Sequence, residues 1–141
     1  MKTLKTLTAA CLMIISLNSF AETSPAISKA KLENNAGKYV EAIAYGQIKG
    51  MSEIMDDSFT YRFVQGNKIK TYTKADFLQM LKASENIRQN CSVTYTFEQT
   101  EIGEPVVLIN MKYENFTKVT RLTFTDAEEG MKISRVASWY K

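Results

Sequence analysis

Aromatic side chains alternate along two short segments of this chain. Phe59, Tyr61 and Phe63 are separated by one residue each, and Tyr95 and Phe97 repeat the spacing. Side chains two residues apart share one face of a β-strand, so each segment would present its rings to one side of a sheet. If those faces point inward, the rings line an apolar pocket with phenol groups, which is typical of small-ligand sites. A solid core without a cavity is the alternative interpretation.

Three polar residues elsewhere in the chain could contact such a ligand. Asn110 interrupts the apolar run of residues 106–111, either as a contact in the pocket or as a side chain that faces outward. Arg121 and Arg135 could hold an anionic group. If Thr120 faces inward, the alternation turns Arg121 outward, to the surface or an interface. The sequence does not decide whether Arg135 faces inward or outward, because a one-residue slip in strand register reverses its face.

Acidic residues cluster at two places. Asp56 and Asp57 could form a paired-carboxylate acid–base site, but Asp is also a good residue for the junction between a helix and a strand. Asp126, Glu128 and Glu129 lie on a short hairpin loop, whereas a calcium loop needs several oxygens at regular spacing. We interpret the first cluster as a structural junction and the second as a solvated turn, and we expect no metal and no cofactor.

The composition excludes several classes of function. The 141 residues include no His, which removes Ser-His-Asp and Cys-His catalysis and histidine metal ligands. The net charge of +3 is too small for a nucleic-acid-binding surface. Hydrophobic residues at 45% and charged residues at 23% are typical of one globular domain, and no linker or repeat divides the chain.

The first 21 residues have the order of a secretory signal peptide. Lys2 and Lys5 form a basic start, residues 7–17 are apolar, and Ser19 and Ala21 are the small residues of a cleavage site. The apolar run is too short to span a bilayer as a helix, and a buried N-terminal helix is the alternative. The sequence therefore predicts cleavage after Ala21, a periplasmic or secreted domain over residues 22–141, and no membrane association after cleavage.

Cleavage would leave Cys91 as the single cysteine and lower the net charge to +1. No intramolecular disulfide is then available. Because Cys91 opens an alternating segment, it is predicted to be a small buried side chain rather than a reactive thiol. The low charge argues against polyanion binding.

The apolar pattern predicts elements in the order α-α-β-β-α-β-β-β-β. Pro25 starts a first helix that ends at Gly46, and a second, short helix stops at Asp56. Thr73 and Asp76 form a variant of the capping box that opens the third helix. The other segments alternate with period two, and their short connections imply antiparallel pairing. The class is therefore α+β, with helices on one face of an antiparallel sheet.

Three stretches give this order a resemblance to a known superfamily. They are residues 38–46 on the first helix, residues 55–59 at the junction to the first strand, and residues 122–140 at the end. In order and spacing they resemble the nuclear transport factor 2-like superfamily, with its SnoaL-like, ketosteroid-isomerase-like and lumazine-binding-like members. The resemblance covers residues 27–141. It implies a cystatin-like fold, in which a curved antiparallel sheet wraps around three helices of the N-terminal half to form a cone with an internal pocket.

The resemblance also implies which residues would act in a ketosteroid-isomerase-like enzyme. Those enzymes use a carboxylate as the base, and a tyrosine with a protonated aspartic acid as oxyanion donors. Tyr39 falls at the place of the tyrosine, seven residues before Gly46. The base position is Arg62, or Phe63 if the alignment shifts by one residue, and the second acid position is Thr120. Neither candidate can act as the base, so we expect no isomerase activity.

We therefore expect an exported, non-catalytic domain that holds a small hydrophobic or aromatic ligand in the cone. Its pocket candidates are Tyr39, Phe59, Tyr61, Phe63, Tyr95, Phe97, Asn110 and Thr120. The alternatives are a protein-interaction or assembly module with a filled cone, and an enzyme with an unfamiliar arrangement of Tyr, Asp and Arg. We also expect a homodimer through the polar outer face of the sheet, formed by Ser92, Thr94, Thr96, Arg121 and Thr123.

Overall fold

A computed structural model describes residues 25–127 and 130–141. The predicted signal peptide with its cleavage site, and the acidic residues Glu128 and Glu129, lie outside the described residues. Leu32–Lys141 forms one compact unit, and all the contacts that follow lie within it. Of the helices that the structure describes, none is long and apolar enough to cross a membrane.

The described part of the chain contains three helices, in the predicted order. Helix α1 spans Pro25–Tyr45, α2 spans Met51–Ile54 and α3 spans Lys74–Ala83. Helix α1 ends before Gly46, whose φ of 71° lies in the left-handed region that glycine adopts without strain. Helix α2 ends earlier than predicted, because Met55 already has an extended backbone with φ −99° and ψ 129°.

The capping box predicted at the start of α3 is confirmed. The Thr73 hydroxyl accepts a 3.2 Å hydrogen bond from the backbone N–H of Asp76. The Asp76 carboxylate accepts a 3.2 Å bond from the backbone N–H of Thr73. These bonds satisfy donors that a helix start leaves without intrahelical partners. The cap sets the first residue of α3. The position of the helix start in turn determines which residues share a face, and Phe77 lies on the buried face.

Six strands of the described residues form one open sheet. Strand β1 spans Met55–Gln65, β2 Lys68–Thr73, β3 Ser92–Gln99, β4 Pro105–Lys112, β5 Thr117–Ala127 and β6 Gly130–Tyr140. Their order across the sheet is β2-β1-β6-β5-β4-β3. The α+β class and the predicted sequence of elements are confirmed.

The pairing of β1 with β6 departs from the antiparallel expectation. These two strands run parallel, with Tyr61 opposite Val136, whereas the other pairings between described strands are antiparallel. Short connections force antiparallel pairing only between strands that follow each other in the chain. Strands β1 and β6 are separated by α3 and four other strands. No hairpin therefore dictates their relative direction.

The inner face of the sheet carries the core. Ile109 pairs with Thr120 across β4 and β5, and both side chains are fully buried. Helix α3 contributes Phe77, whose ring centroid lies 5.2 Å from that of Phe59 and 4.9 Å from that of Tyr61. Each aromatic pair of this kind contributes about 0.5–1.5 kcal/mol beyond the burial of its surface. Phe77 therefore joins α3 to β1.

The outer face of the sheet includes Asn110. The strand register places Asn110 beside Thr94 and Val119. Its chain neighbours Ile109 and Met111 are buried on the opposite, inner face. Because successive side chains of a strand alternate between the two faces, Asn110 faces outward, as one of the two alternatives from the sequence has it.

Other residues of the predicted outer face differ in exposure. Arg121 is exposed, as the alternation predicts. Thr123 is only 6% exposed; it precedes a shift in register, and its backbone carbonyl accepts a 3.1 Å hydrogen bond from the Ser134 hydroxyl. Arg135, whose face was left open, lies opposite Thr123 and forms a 2.6 Å ion pair with Glu104. The dimer through this face stays a prediction.

The end of α1 is joined to the segment that follows α3. The backbone N–H of Asn86 donates to the carbonyl of Gly46 at 2.9 Å, and that of Gln89 donates to the carbonyl of Ala44 at 2.7 Å. A Cβ at residue 46 would lie 2.5 Å from the backbone nitrogen of Asn86. The two segments can approach this closely because residue 46 has no side chain, and the approach positions Gln89.

Candidate functional site

A partly enclosed cavity lies between the inner face of the sheet and helices α1 and α3. Its volume is about 310 Å³, at the lower end of the range of roughly 300–1,000 Å³ that is usual for small-molecule sites. It is lined by Tyr39, Ile43, Tyr61, Phe77, Met80, Leu81, Ser84, Gln89, Met111, Tyr113, Phe116, Lys118 and Tyr140.

Aromatic rings form one wall of the cavity. Phe77 of α3 stacks on Tyr39 of α1, with 6.2 Å between ring centroids and an interplanar angle of 3°. Phe77 also packs against Tyr61 of β1. Tyr61 stacks in turn on Tyr72 of β2, at 5.8 Å between centroids. The wall is therefore apolar, with the phenol oxygens of Tyr39 and Tyr61 as its polar groups.

Hydroxyl groups from neighbouring strands adjoin this wall. Thr120 Oγ1 of β5 and Ser138 Oγ of β6 are 2.8 Å apart and buried. Burial raises the pKa of Tyr61, and this outweighs the lowering by the Ser138 hydroxyl. Burial, followed by the neighbouring Tyr61, raises the pKa of Tyr39 well above its ordinary value. Both phenols therefore stay protonated at neutral pH and can donate hydrogen bonds to a ligand oxygen.

Tyr113, Phe116 and Tyr140 form an aromatic rim, where Phe116 is 43% and Tyr140 49% exposed. Tyr113 stacks on Phe116 at 4.6 Å between centroids, and Phe116 meets Tyr140 edge-on at 5.3 Å. The Tyr113 hydroxyl donates a 3.1 Å hydrogen bond to Gln89 Oε1. Burial, with smaller contributions led by Cys91, raises the pKa of Tyr113 to about 12. The rim is thus an amphipathic surface, in which the Tyr113 phenol stays protonated at neutral pH.

Lys118 is the cationic residue among those that line the cavity. It lies near the start of β5, opposite Met111 of β4 and Tyr140 of β6, which also line the cavity. The side chain is half-buried, and burial lowers the pKa of its amine. Lys118 therefore adds a positive charge to an otherwise neutral lining.

The structure brings together two of the predicted pocket residues, Tyr39 and Tyr61. Phe59 is buried in the core beside Phe77 rather than at the cavity. Phe63 is half-buried and packs edge-on against Tyr140, at 5.4 Å between centroids. Phe59 and Phe63 therefore do not line the cavity themselves but pack against two rings that do, Phe77 and Tyr140.

The remaining pocket candidates lie apart from the cavity. Tyr95 and Phe97 form an edge-on pair at 5.9 Å on β3, and Tyr95 is 42% exposed. Their register places both side chains on the inner face, but β3 is one of the two edge strands of the described sheet. Asn110 is on the outer face. Thr120 is buried and bonded to Ser138 without lining the cavity.

The positions carried over from the isomerases separate in space. Tyr39 lines the cavity, while Arg62 is exposed on β1 and alternates with the inward-facing Tyr61 and Phe63. An arginine on the outer face cannot reach a proton of a ligand in the cavity. The structure thus provides no base at the family's base position.

The acidic pair is also outside the cavity. The Asp56 carboxylate accepts hydrogen bonds from the Ser58 hydroxyl and from the Ser58 backbone N–H, the latter at 3.0 Å. These bonds lower the pKa of Asp56, whose carboxylate is exposed. Asp57 is fully exposed and lies 3.8 Å from the Lys74 amine. Among the residues that the structure describes, no cluster of His, Cys, Asp or Glu is suited to a metal ion.

Cys91 lies just before β3, which begins at Ser92, and its side chain is a free, half-buried thiol that packs against the core. The prediction that Cys91 opens the strand as a buried side chain is therefore wrong in both respects, because the residue precedes β3 and is only half-buried.

Several cavity residues were not identified from the sequence. Lys118, Phe116 and Tyr140 come together because β5 and β6 pair and the turn before β5 folds over them. An aromatic residue in the polar turn of residues 114–116 was an available signal for Phe116. Lys118 is two residues from Thr120 along β5, so alternation was an available signal for its inward face, although lysine is a residue type typical of the surface.

Comparisons with known proteins identify the fold. No family model and no curated protein sequence matches the chain. A solved nuclear transport factor 2-like protein of unknown function from Silicibacter pomeroyi superposes with a TM-score of 0.68 at 11% identity, over 84% of this chain and 100% of the other. A second such protein, from Shewanella baltica, superposes with a TM-score of 0.66 at 10% identity, over 85% of this chain and 98% of the other. A protein from Streptomyces avermitilis, provisionally named a dehydratase of the same fold family, superposes with a TM-score of 0.58 at 11% identity, over 82% of this chain and 97% of the other.

These similarities show that the chain has the nuclear transport factor 2-like fold, as the resemblance of its sequence implied. At 10–11% identity they establish the fold alone. Because one fold hosts many activities, function has to be argued from the cavity.

Proposed function

We propose that this protein is an exported, non-catalytic binding protein for a small hydrophobic or aromatic molecule. The observation that carries the proposal is the cavity of about 310 Å³, which combines an aromatic wall with phenol groups. Burial of apolar surface against such a wall contributes about 25 cal/mol per Å². The phenols of Tyr39 and Tyr61, protonated at neutral pH, orient a ligand through hydrogen bonds.

The cavity also supports binding over the two alternative functions. An interaction module with a filled interior would leave no space between the sheet and the helices. A divergent enzyme needs a group that accepts a proton, and a carboxylate beside Tyr39 would be the candidate. None of the cavity-lining residues in the described part of the chain is Asp, Glu or His.

Fluorescence of N-phenylnaphthylamine, a neutral dye that brightens in apolar surroundings, tests the proposal. We expect saturable binding to the mature protein, and loss of binding in Ser84→Trp, which places an indole in the cavity. Thr94→Trp adds the same side chain to the exposed outer face of β3 and should bind as the wild type does. Absence of binding, or equal binding by both variants, would refute a ligand site in this cavity.

Export is proposed on the order of basic, apolar and small residues over residues 1–21. N-terminal sequencing of the protein from its native host should give Glu22 as the first residue. Cytoplasmic protein that retains Met1 would contradict it.

A further inference from the structure

Lys118 gives the cavity a charge that no lining residue balances. Its register partners Met111 and Tyr140 both line the cavity, so the lysine stem lies along the same surface. No carboxylate lines the cavity within the described residues. The described ion pairs join other residues, Lys74 with Asp57 and Arg135 with Glu104.

The other polar groups of the lining favour the same sign of ligand charge. The phenols of Tyr39 and Tyr61 have raised pKa values, so each remains a neutral hydrogen-bond donor, whereas the single O–H of Tyr113 is already donated to Gln89. Gln89 Oε1 already accepts a hydrogen bond from Tyr113, which leaves the amide N–H groups of Gln89 as its other polar atoms. An ammonium group among donors stabilises an acceptor that carries negative charge.

Burial makes this lysine a stronger anchor than an exposed one. A half-buried ammonium has lost part of its hydration, and the lowered pKa of Lys118 has this desolvation as its cause. A ligand anion restores the lost interaction, and at a partly desolvated site the attraction is screened less than in bulk water. The flat rings of Phe116 and Tyr140 provide an apolar surface in the same cavity, and Tyr140 is the register partner of Lys118.

We propose that Lys118 determines the class of ligand: a small aromatic or alicyclic molecule that carries one anionic group, in its simplest form a carboxylate, paired with the Lys118 ammonium. This inference rests on the proposed binding function and adds the charge of the ligand to it. The apolar body would lie against Phe77 and the aromatic rim.

Calorimetry with naphthalene carboxylate and its neutral carboxamide tests the inference, because the two probes share one ring system. We expect the carboxylate to bind the wild type about tenfold more tightly than the amide, as one charge-assisted contact warrants. Lys118→Met should remove this preference and leave amide binding in place, which also shows that the variant is folded. Lys112→Met removes the same charge from an exposed residue of β4 and should retain the preference.

The outcomes separate the two proposals. Equal affinity of both probes for the wild type, with loss of both in Ser84→Trp, would overturn the role of Lys118 and leave the binding function standing. Binding of neither probe, together with absence of dye binding, would overturn both. A preference for the carboxylate that survives in Lys118→Met would place the anion elsewhere and refute the inference.

Discussion

The hydroxyl of Tyr113 donates a 3.1 Å hydrogen bond to the side-chain oxygen of Gln89. Tyr113 follows β4, and Gln89 lies in the segment between α3 and β3, so the bond joins two parts of the cavity lining that are distant in sequence. We expect Tyr113→Phe to lower the free energy of unfolding by about 1 kcal/mol, the usual net contribution of a hydrogen bond. Urea denaturation measures it, with Tyr95→Phe on the edge strand as the control. Equal stability of Tyr113→Phe and the wild type would show that the bond does not contribute.

Phe77 and Phe116 both line the cavity, but they should contribute in opposite ways. Phe77 is buried against Tyr39, Phe59 and Tyr61. We expect Phe77→Ala to lower the free energy of unfolding by about 3–5 kcal/mol. Phe116 is 43% exposed, so Phe116→Ala should cost less than about 1 kcal/mol, yet weaken N-phenylnaphthylamine binding. Denaturation and dye titration of both variants check this, and unchanged dye binding by Phe116→Ala would remove Phe116 from the site.

Two glycines of the helix α1 region should respond in opposite directions to alanine. Gly46→Ala would place a Cβ 2.5 Å from the Asn86 nitrogen at a φ of +71°. The left-handed backbone alone costs a non-glycine residue about 1–3 kcal/mol. Gly37 is inside the helix with nothing within 4 Å of its added Cβ, so Gly37→Ala should stabilise by about 0.5–1 kcal/mol. Thermal unfolding of both variants distinguishes them, and a Gly46→Ala protein as stable as wild type would contradict the tight junction.

Stability should fall in alkaline solution because of the buried phenols. The pKa of Tyr113 is raised from 10.0 to about 12, and those of Tyr39 and Tyr61 are raised as well. Well below pH 10 these phenols are protonated in both the folded and the unfolded state, so they add no pH dependence to the stability. Between pH 10 and 12 the unfolded chain loses protons that the folded protein keeps, so the free energy of unfolding decreases as pH rises.

The slope of stability against pH, measured by urea denaturation, checks this expectation. Tyr113→Phe should have a shallower decline than the wild type. The titratable groups facing Tyr113 are Cys91 and Tyr140, and Lys118 lines the same cavity. Lys118 acts in the opposite direction, because its lowered pKa makes stability rise with pH up to its ordinary value of 10.5. An identical slope in Tyr113→Phe would show that Tyr113 ionises alike in the folded and unfolded states.

The cavity should not catalyse isomerisation of a steroid enone. Arg62 occupies the base position and is exposed, and Asp57 is fully exposed outside the cavity. An absorbance assay should give the background rate for the wild type and for Asp57→Asn, with unchanged dye binding in both. Turnover well above background that disappears in Asp57→Asn would make Asp57 the base and overturn the non-catalytic proposal.

The sequence was sufficient for features that depend on neighbouring residues. The capping box of Thr73 and Asp76, the end of α1 at Gly46 and the strand face that Phe59 shares with Tyr61 follow from local chemistry and alternation. Such signals operate within a few residues, so a single sequence carries them.

Features that depend on which strands become neighbours could not be predicted. Alternation places Tyr95 and Phe97 on one strand face, but only the strand order shows that β3 is an edge, where Tyr95 is exposed. Asn110 lies in a continuously apolar run, where no alternation shows its face. Alternation with Thr120 places Lys118 on the inner face, but only its pairing with Met111 and Tyr140 shows that it lines the cavity.

The parallel pairing of β1 with β6 has a consequence for the order of folding. Strands β2 and β1 form one hairpin, and β3, β4 and β5 follow one another, so each group can assemble from nearby segments. Within the described sheet, β6 alone joins the two groups. Its pairing with β1, which places Val136 opposite Tyr61, requires closure of the long chain segment between these two strands. The entropy of that closure has to be overcome before the pairing contributes any stability, which slows folding. We therefore expect the cavity, whose walls come from both groups, to be completed only when β1 pairs with β6.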